Sequence, residues 1–201
     1  ISTAHWDTAL SNGHLVYLIG NDDSHDVSDI TDIATRFTMI NADENEAEKI
    51  LSSLENGNAV GVDFPIIYDE TLEQKIKRLK KNLPHITQVE LKDDTLLVSA
   101  SKPISKIRFI GQEGKELKTQ KNIKTGTYVI QPEDNYVRCE LKFKDGTTLY
   151  LNPITRHENN EITKQRLDHI NYPKTIILWT VYLSIISFAA YRIIKRLRNR
   201  R

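Results

Sequence analysis

Three carboxylates and an imidazole fall within five residues at Asp22-Asp23-Ser24-His25-Asp26. Such a run is hard to bury, and two chemistries fit it. Asp oxygens and a neutral His nitrogen are donors for a divalent transition metal. Asp23 and His25 lie two residues apart, so they reach one ion where the backbone is extended or turning. Asp22 is a weaker candidate, suited to stand behind the imidazole or to substitute as a ligand, and Asp26 is weaker still. Asp and Ser also bond their own backbone, so the same run makes a good turn. A plain turn or a weak calcium site therefore stays open beside the metal reading.

The flanking sequence supplies the elements that would hold this loop. Residues 3–12 read as a short helix with Trp6, Ala9 and Leu10 on one face and a stop at Asn12-Gly13. The apolar run Leu15-Val16-Tyr17-Leu18-Ile19 predicts a buried strand over 14–19 that delivers the chain into the loop. A strand is expected over 36–40, then a helix with Ala47, Ile50, Leu51 and Leu54 at helical spacing, ended by Gly57. A short apolar strand follows over 59–64.

Several spaced residues in this order resemble the C-terminal end of a PHP domain, the polymerase-and-histidinol-phosphatase family of metal-dependent phosphoesterases. They are Trp6, Asp7, Leu10 and Gly13, then Asp23 and His25, then Ile50, Ser53, Leu54 and Gly57, over roughly residues 1–64. The resemblance implies the last part of an α/β barrel, with Asp23 and His25 as ligands of a divalent ion: zinc, manganese or iron. The family's H-x-H motif and its middle His and Glu ligands have no match among the six histidines, 5, 14, 25, 85, 157 and 169. The chain enters at Ile1 in what reads as mid-domain, without a signal peptide. It is expected to be a fragment, inactive by itself because the other ligands are missing.

Residues 65–85 read as a connecting segment with a helix over 70–82. Leu72, Ile76, Leu79 and Leu83 form its apolar stripe, and Lys75, Lys77, Arg78, Lys80 and Lys81 a solvated face. From 86 to 153, short runs of β-branched and aromatic residues alternate with turn signals about every ten residues. This predicts a small antiparallel β-sandwich. Lys144-Asp145-Gly146-Thr147 marks a hairpin. Cys139, the only cysteine, excludes an internal disulfide and reads as a small buried side chain on a strand. Tyr128, Tyr136 and Tyr150 read as cross-strand packing. Residues 154–174 form a polar linker, and His85, His157 and His169 are expected to be exposed.

Residues 175–194 predict a single transmembrane helix, uncharged from Thr175 to Tyr191, with Trp179 and Tyr191 near its ends. The basic tail 195–201 follows. Seven Lys or Arg and no acid lie from Lys174 onward, whereas residues 1–173 carry 21 basic and 27 acidic side chains, a net of −6. An acidic body argues against nucleic acid as a partner. The positive-inside rule puts the tail in the cytoplasm and the body in the periplasm or its equivalent. The expected function is part of a membrane-anchored extracytoplasmic metal-dependent hydrolase acting on a phosphate ester. The alternative is a non-enzymatic anchored binding or assembly module that works through the β-sandwich.

Overall fold

The structure, a computed structural model, describes residues 2–156 and 172–199. The expectations for His157, His169 and most of the linker lie outside those residues. The chain divides into two units, one ending at Thr163 and the other starting at Lys164.

The first unit contains a seven-stranded sheet. Its elements in chain order are α1 (Thr3–Ser11), β1 (Arg36–Ile40), α2 (Ala47–Glu55), β2 (Ala59–Asp63), α3 (Leu72–Asn82), β3 (Ile86–Lys92), β4 (Thr95–Ile110), β5 (Glu116–Val129), β6 (Tyr136–Phe143) and β7 (Thr148–Thr155). The strand order is β1-β2-β7-β6-β4-β3, and β5 also pairs with β4. Every pairing is antiparallel. The sequence reading separates residues 1–64 from 86–153, but β2 pairs with β7 (Val60 opposite Leu151, Val62 opposite Leu149), and the two stretches share one sheet. No parallel barrel piece is seen among the described residues, and the sheet is continuous where two stacked sheets were expected.

The long strand β4 explains that continuity. Short strands were expected over this region, yet β4 runs for 16 residues straight through Pro103. Its first half pairs with β3 and β5. Its second half keeps β5 and exchanges β3 for β6. The register shifts between Ser99 and Ile104, so the proline sits at an irregularity where no ladder bond is lost. Asp93 and Asp94 both have positive φ, 46° and 61°, which suits the two-residue turn joining β3 to β4.

Strand alternation sorts β6 onto two covered faces. Val137, Cys139, Leu141 and Phe143 enter the main core with Leu96, Val98, Ile104, Ile107 and Phe109. Tyr136, Arg138 and Glu140 lie on the other face, and Tyr136 packs with Trp6 and Leu10 of α1. The expected packing roles of the tyrosines hold for Tyr128, which stacks on Phe109 at 5.5 Å and donates to Asp134 at 2.7 Å. Cys139 is fully buried, and burial pushes its thiol well above the ordinary range.

The predicted strand over 14–19 is not a strand. Its residues lie over the α1-side face instead: Trp6 Nε1 donates to the Val16 carbonyl at 2.9 Å, and Leu15 and Leu18 join the Trp6 cluster. The Leu18 N–H is satisfied by the Asn152 side chain at 2.8 Å instead of a neighbouring backbone. Gly61 makes room, since a Cβ there would come within 2.7 Å of the Leu18 side chain.

The helix α3 also turns differently from its apolar stripe. Leu79 and Leu83 pack on the main core, but Leu72 and Ile76 are exposed and Lys75 is buried. Thr71 and Gln74 form a reciprocal capping box at its start.

The second unit holds α4 (Tyr172–Arg198), the one helix among the described residues long and apolar enough to cross a membrane. Its 27 residues span about 40 Å at 1.5 Å per residue, against a hydrocarbon core of about 30 Å. The hydroxyls of Thr180 and Ser184 donate at 2.8 Å to the carbonyls of Ile176 and Thr180 one turn back, so neither needs water.

Candidate functional site

The loop over 20–35 connects the extended 14–19 segment to β1. At its entrance Gly20 is tied to β1: its N–H donates to Thr38 Oγ1 at 2.8 Å, and the same hydroxyl donates back to the Gly20 carbonyl at 3.1 Å. Beyond it the loop is built almost wholly by its own short polar side chains. Asn21 accepts from the Asp23 N–H at 2.9 Å. Asp23 itself takes a left-handed φ of 54°, tolerable for Asp.

The loop contains five aspartates, 22, 23, 26, 29 and 32, and four of them are engaged in shaping it. Asp22 accepts from the Ala34 N–H and so joins the two ends. Asp32 accepts from the N–H groups of His25 at 2.8 Å and Asp26 at 3.2 Å. Those two bonds hold its carboxyl below the usual range. Asp26 accepts from Ser28 N–H and Oγ, and its carboxyl is lowered chiefly by the hydroxyl. Asp29 accepts from Thr31 N–H and Oγ1 at 2.8 and 2.7 Å. The carboxylate of Asp23 and the imidazole of His25 make no hydrogen bond among the described residues, and both are exposed. The structure thus keeps both sequence-predicted ligands on one exposed turn, while Asp22 and Asp26 have structural work. Among the described residues, no group of three or more His, Cys, Asp or Glu gathers as a metal cage.

A cation the sequence reading placed in solvent sits under this loop. Lys75 on α3 is only 3% exposed. Its Nζ donates to the carbonyls of Ile30 at 2.6 Å and Ile33 at 2.5 Å. Burial pushes its pKa down, opposed by Glu70, Asp22 and Asp29. One turn on, Arg78 forms a bidentate pair with Glu70 at 2.8 and 2.6 Å, donates to the Pro65 carbonyl and covers the Phe64 ring at 4.0 Å. Lys77, Lys80 and Lys81 are exposed, as expected.

A second charged network lies between α1 and β6. Arg138 is 2% exposed and bonds both oxygens of Asp7 at 2.6 Å and Glu140 at 2.7 Å. Tyr136 donates to Asp7 at 3.2 Å, and Arg108 reaches Glu140 from the surface. The sequence signal for this network was Arg138 and Glu140 on one face of a strand whose other face, Val137, Cys139, Leu141 and Phe143, is wholly apolar.

A groove of about 940 Å³ runs between the ends of β1, β2 and β7 and the start of β3. Met39, Val60, Ile86 and Ile154 give it apolar walls, Asn58 and Gln88 polar ones, and no Asp, Glu, Lys or Arg lines it. β1 and β3 are the terminal strands of the sheet order, so the groove borders two open edges.

Together these features define an antiparallel β protein with a potential membrane anchor and an aspartate-built surface loop. Compared with protein-family models, curated proteins and solved structures, the chain matches none.

Proposed function

We propose that the chain is part of a membrane-anchored extracytoplasmic metal-dependent hydrolase with phosphate esters as its substrate class. One observation carries the reading. Four of five loop carboxylates accept backbone bonds, while the Asp23 carboxylate and the His25 imidazole, the side chains of the PHP-like motif, are exposed and make no hydrogen bond among the described residues, the imidazole acting on Asp32 through its charge alone. An oxygen and an imidazole nitrogen suit zinc, manganese or iron. Two donors do not complete a catalytic site, so further ligands would come from residues beyond those described. The bound ion would supply Lewis-acid and hydroxide chemistry. This chain's own part is to present Asp23 and His25 on a turn shaped by Asp22 and Asp32. The run of Arg192, Lys195, Arg196 and Arg198 at the end of α4 supports a cytoplasmic C-terminus and an extracytoplasmic body.

The test is metal content after purification from native membranes. The unaltered protein is expected to carry zinc, manganese or iron near stoichiometry. Asp23→Ala and His25→Ala should each lose it with unchanged circular dichroism. Metal retained by both variants, or none in the parent, would sink the proposal. Impermeant thiol labelling of cysteines introduced at either end of α4 tests the sidedness.

The groove favours a second reading, an anchored binding or assembly module. Its uncharged lining and open strand edges suit an extended, weakly charged partner segment added by backbone pairing. A charge introduced at Val89 would then abolish partner binding and leave metal content unchanged.

A further inference from the structure

Three strands have one side without a strand partner: β1, β3 and β5. Such a side is a row of backbone donors and acceptors open to another chain. Two of the three are guarded. Gly20 lies so close to the middle of β1 that a Cβ there would clash with the Phe37 carbonyl, and it exchanges hydrogen bonds with Thr38. β5 carries Lys118, Lys121 and Lys124, and Asn122 breaks its regularity with a φ of 54°. β3 has neither device, and every residue from Thr87 to Lys92 is exposed. The two-residue turn at Asp93-Asp94 closes on the Lys92–Thr95 pair. The backbone groups of Lys92, Glu90 and Gln88 therefore face β4, and those of Val89 and Leu91 face outward. Val89 and Leu91 stand opposite Val98 and Leu96, so their side chains lie on the core side of the sheet. They nevertheless stay 45% and 52% exposed. Val89 also lines the uncharged groove.

We propose that β3 pairs antiparallel with β3 of a second copy of this chain, in the register centred on Leu91. The inference rests on the assembly-module reading of the groove and names its partner. The charges of the strand select that partner, because they are complementary to themselves. Centred on Leu91, Glu90 of each copy stands opposite Lys92 of the other, which gives two cross-strand ion pairs on the outer face. The two Leu91 residues then face each other with their outward N–H and C=O groups in bonding position. Centred on Glu90 instead, the pairing would set two carboxylates opposite each other, which is unfavourable. Glu90 accepts from Gln88 of its own strand at 2.9 Å, so its carboxylate already lies along the outer face where the second Lys92 would arrive. On the other face, Val89 and Leu91 of each copy would shield one another from water. The pairing is short, but as an anchor α4 would hold the copies in one bilayer and raise their effective concentration.

The test uses the full chain in native membranes. Cys139 is buried, so an introduced thiol reports alone. Under mild oxidation Leu91→Cys should form a disulfide-linked dimer, since directly paired residues lie about 5.5 Å apart at Cα. Lys121→Cys on the guarded β5 edge should not. Adding Glu90→Lys to Leu91→Cys reverses the sign of two cross-strand pairs and should lower dimer formation roughly tenfold. Adding Lys92→Glu as well restores opposite charges and should recover it. Lys92→Glu with Leu91→Cys replaces the single variant if Glu90→Lys does not fold. Equal cross-linking at positions 91 and 121, no effect of the single charge change, or no recovery in the double variant overturns the proposal. Benzophenone coupled to Leu91→Cys separates this failure from that of the wider reading. An adduct of twice the chain mass supports self-pairing. Adducts of other masses only overturn it and leave the assembly module standing, and no adduct at all ends both.

Discussion

Replacing Arg138 with methionine tests how α1 is held to the sheet. The guanidinium is 2% exposed, makes three bonds of 2.6–2.7 Å and stands 4.9 Å from the centre of the Trp6 ring. Methionine keeps much of the length but none of the donors. Asp7, 6% exposed, would keep only the Tyr136 hydroxyl and no cation, and Glu140, 7% exposed, would keep only Arg108. Breaking such a pair from one side costs about 3–5 kcal/mol. With a urea m-value of about 2 kcal/mol/M, that loss lowers the midpoint by about 2 M. Trp6 and Trp179 are the only tryptophans. In a Trp179→Phe background, unfolding of the α1 contact is therefore read by Trp6 fluorescence alone. Removing the opposing charge as well should recover stability, so Asp7→Asn in the Arg138→Met background is expected to cost less than Asp7→Asn alone. A loss below about 1 kcal/mol for Arg138→Met, the scale of an exposed pair, would show that the network is solvated and refute the reasoning. So would additive effects of the two changes.

Three further outcomes follow from individual residues. Gly57 has φ +73° and a Cβ there would come within 2.6 Å of the Tyr17 ring, so Gly57→Ala should destabilise by about 1–3 kcal/mol in urea unfolding; a neutral result would mean that the 14–19 segment is not seated there. Cys139 should resist iodoacetamide in the folded chain and react only after denaturation, as followed by mass spectrometry; rapid native alkylation would contradict its burial. The Glu70 carboxyl is held below its usual value, first by the Arg78 hydrogen bond. Its stabilising share is therefore complete above the ordinary glutamate pKa and lost as pH falls through the lowered one. Acid unfolding of Glu70→Gln should accordingly show a shallower dependence on pH than that of the parent; identical slopes would exclude the linkage.

Local pattern was sufficient wherever one segment satisfies itself. The apolar, uncharged run of α4 specifies a helix because its backbone bonds are internal and its few hydroxyls bond one turn back. The α1, α2 and α3 helices, the turns at Asp93-Asp94 and Asp145-Gly146, and the buried Cys139 follow from spacing, capping and turn chemistry in the same way. The exposed Asp23 and His25 turn was also legible, since a dense run of short polar side chains bonds its own backbone wherever it lies.

What only the tertiary structure decided depends on partners distant in sequence. The apolar run over 14–19 has the composition of a strand, but its backbone found Asn152 and its side chains found Gly61 and Trp6. Lys75 and Arg78 look like surface cations beside Lys77, Lys80 and Lys81. Carbonyls at 30, 33 and 65, together with Glu70, draw two of the five out of solvent. Arg138 becomes tolerable inside a sheet only because Asp7 arrives from 131 positions away. The pairing of β2 with β7 likewise joins two stretches that composition sets apart. Hydrogen-bond demand is written in each residue, but which donor meets which acceptor is fixed only when the chain closes on itself.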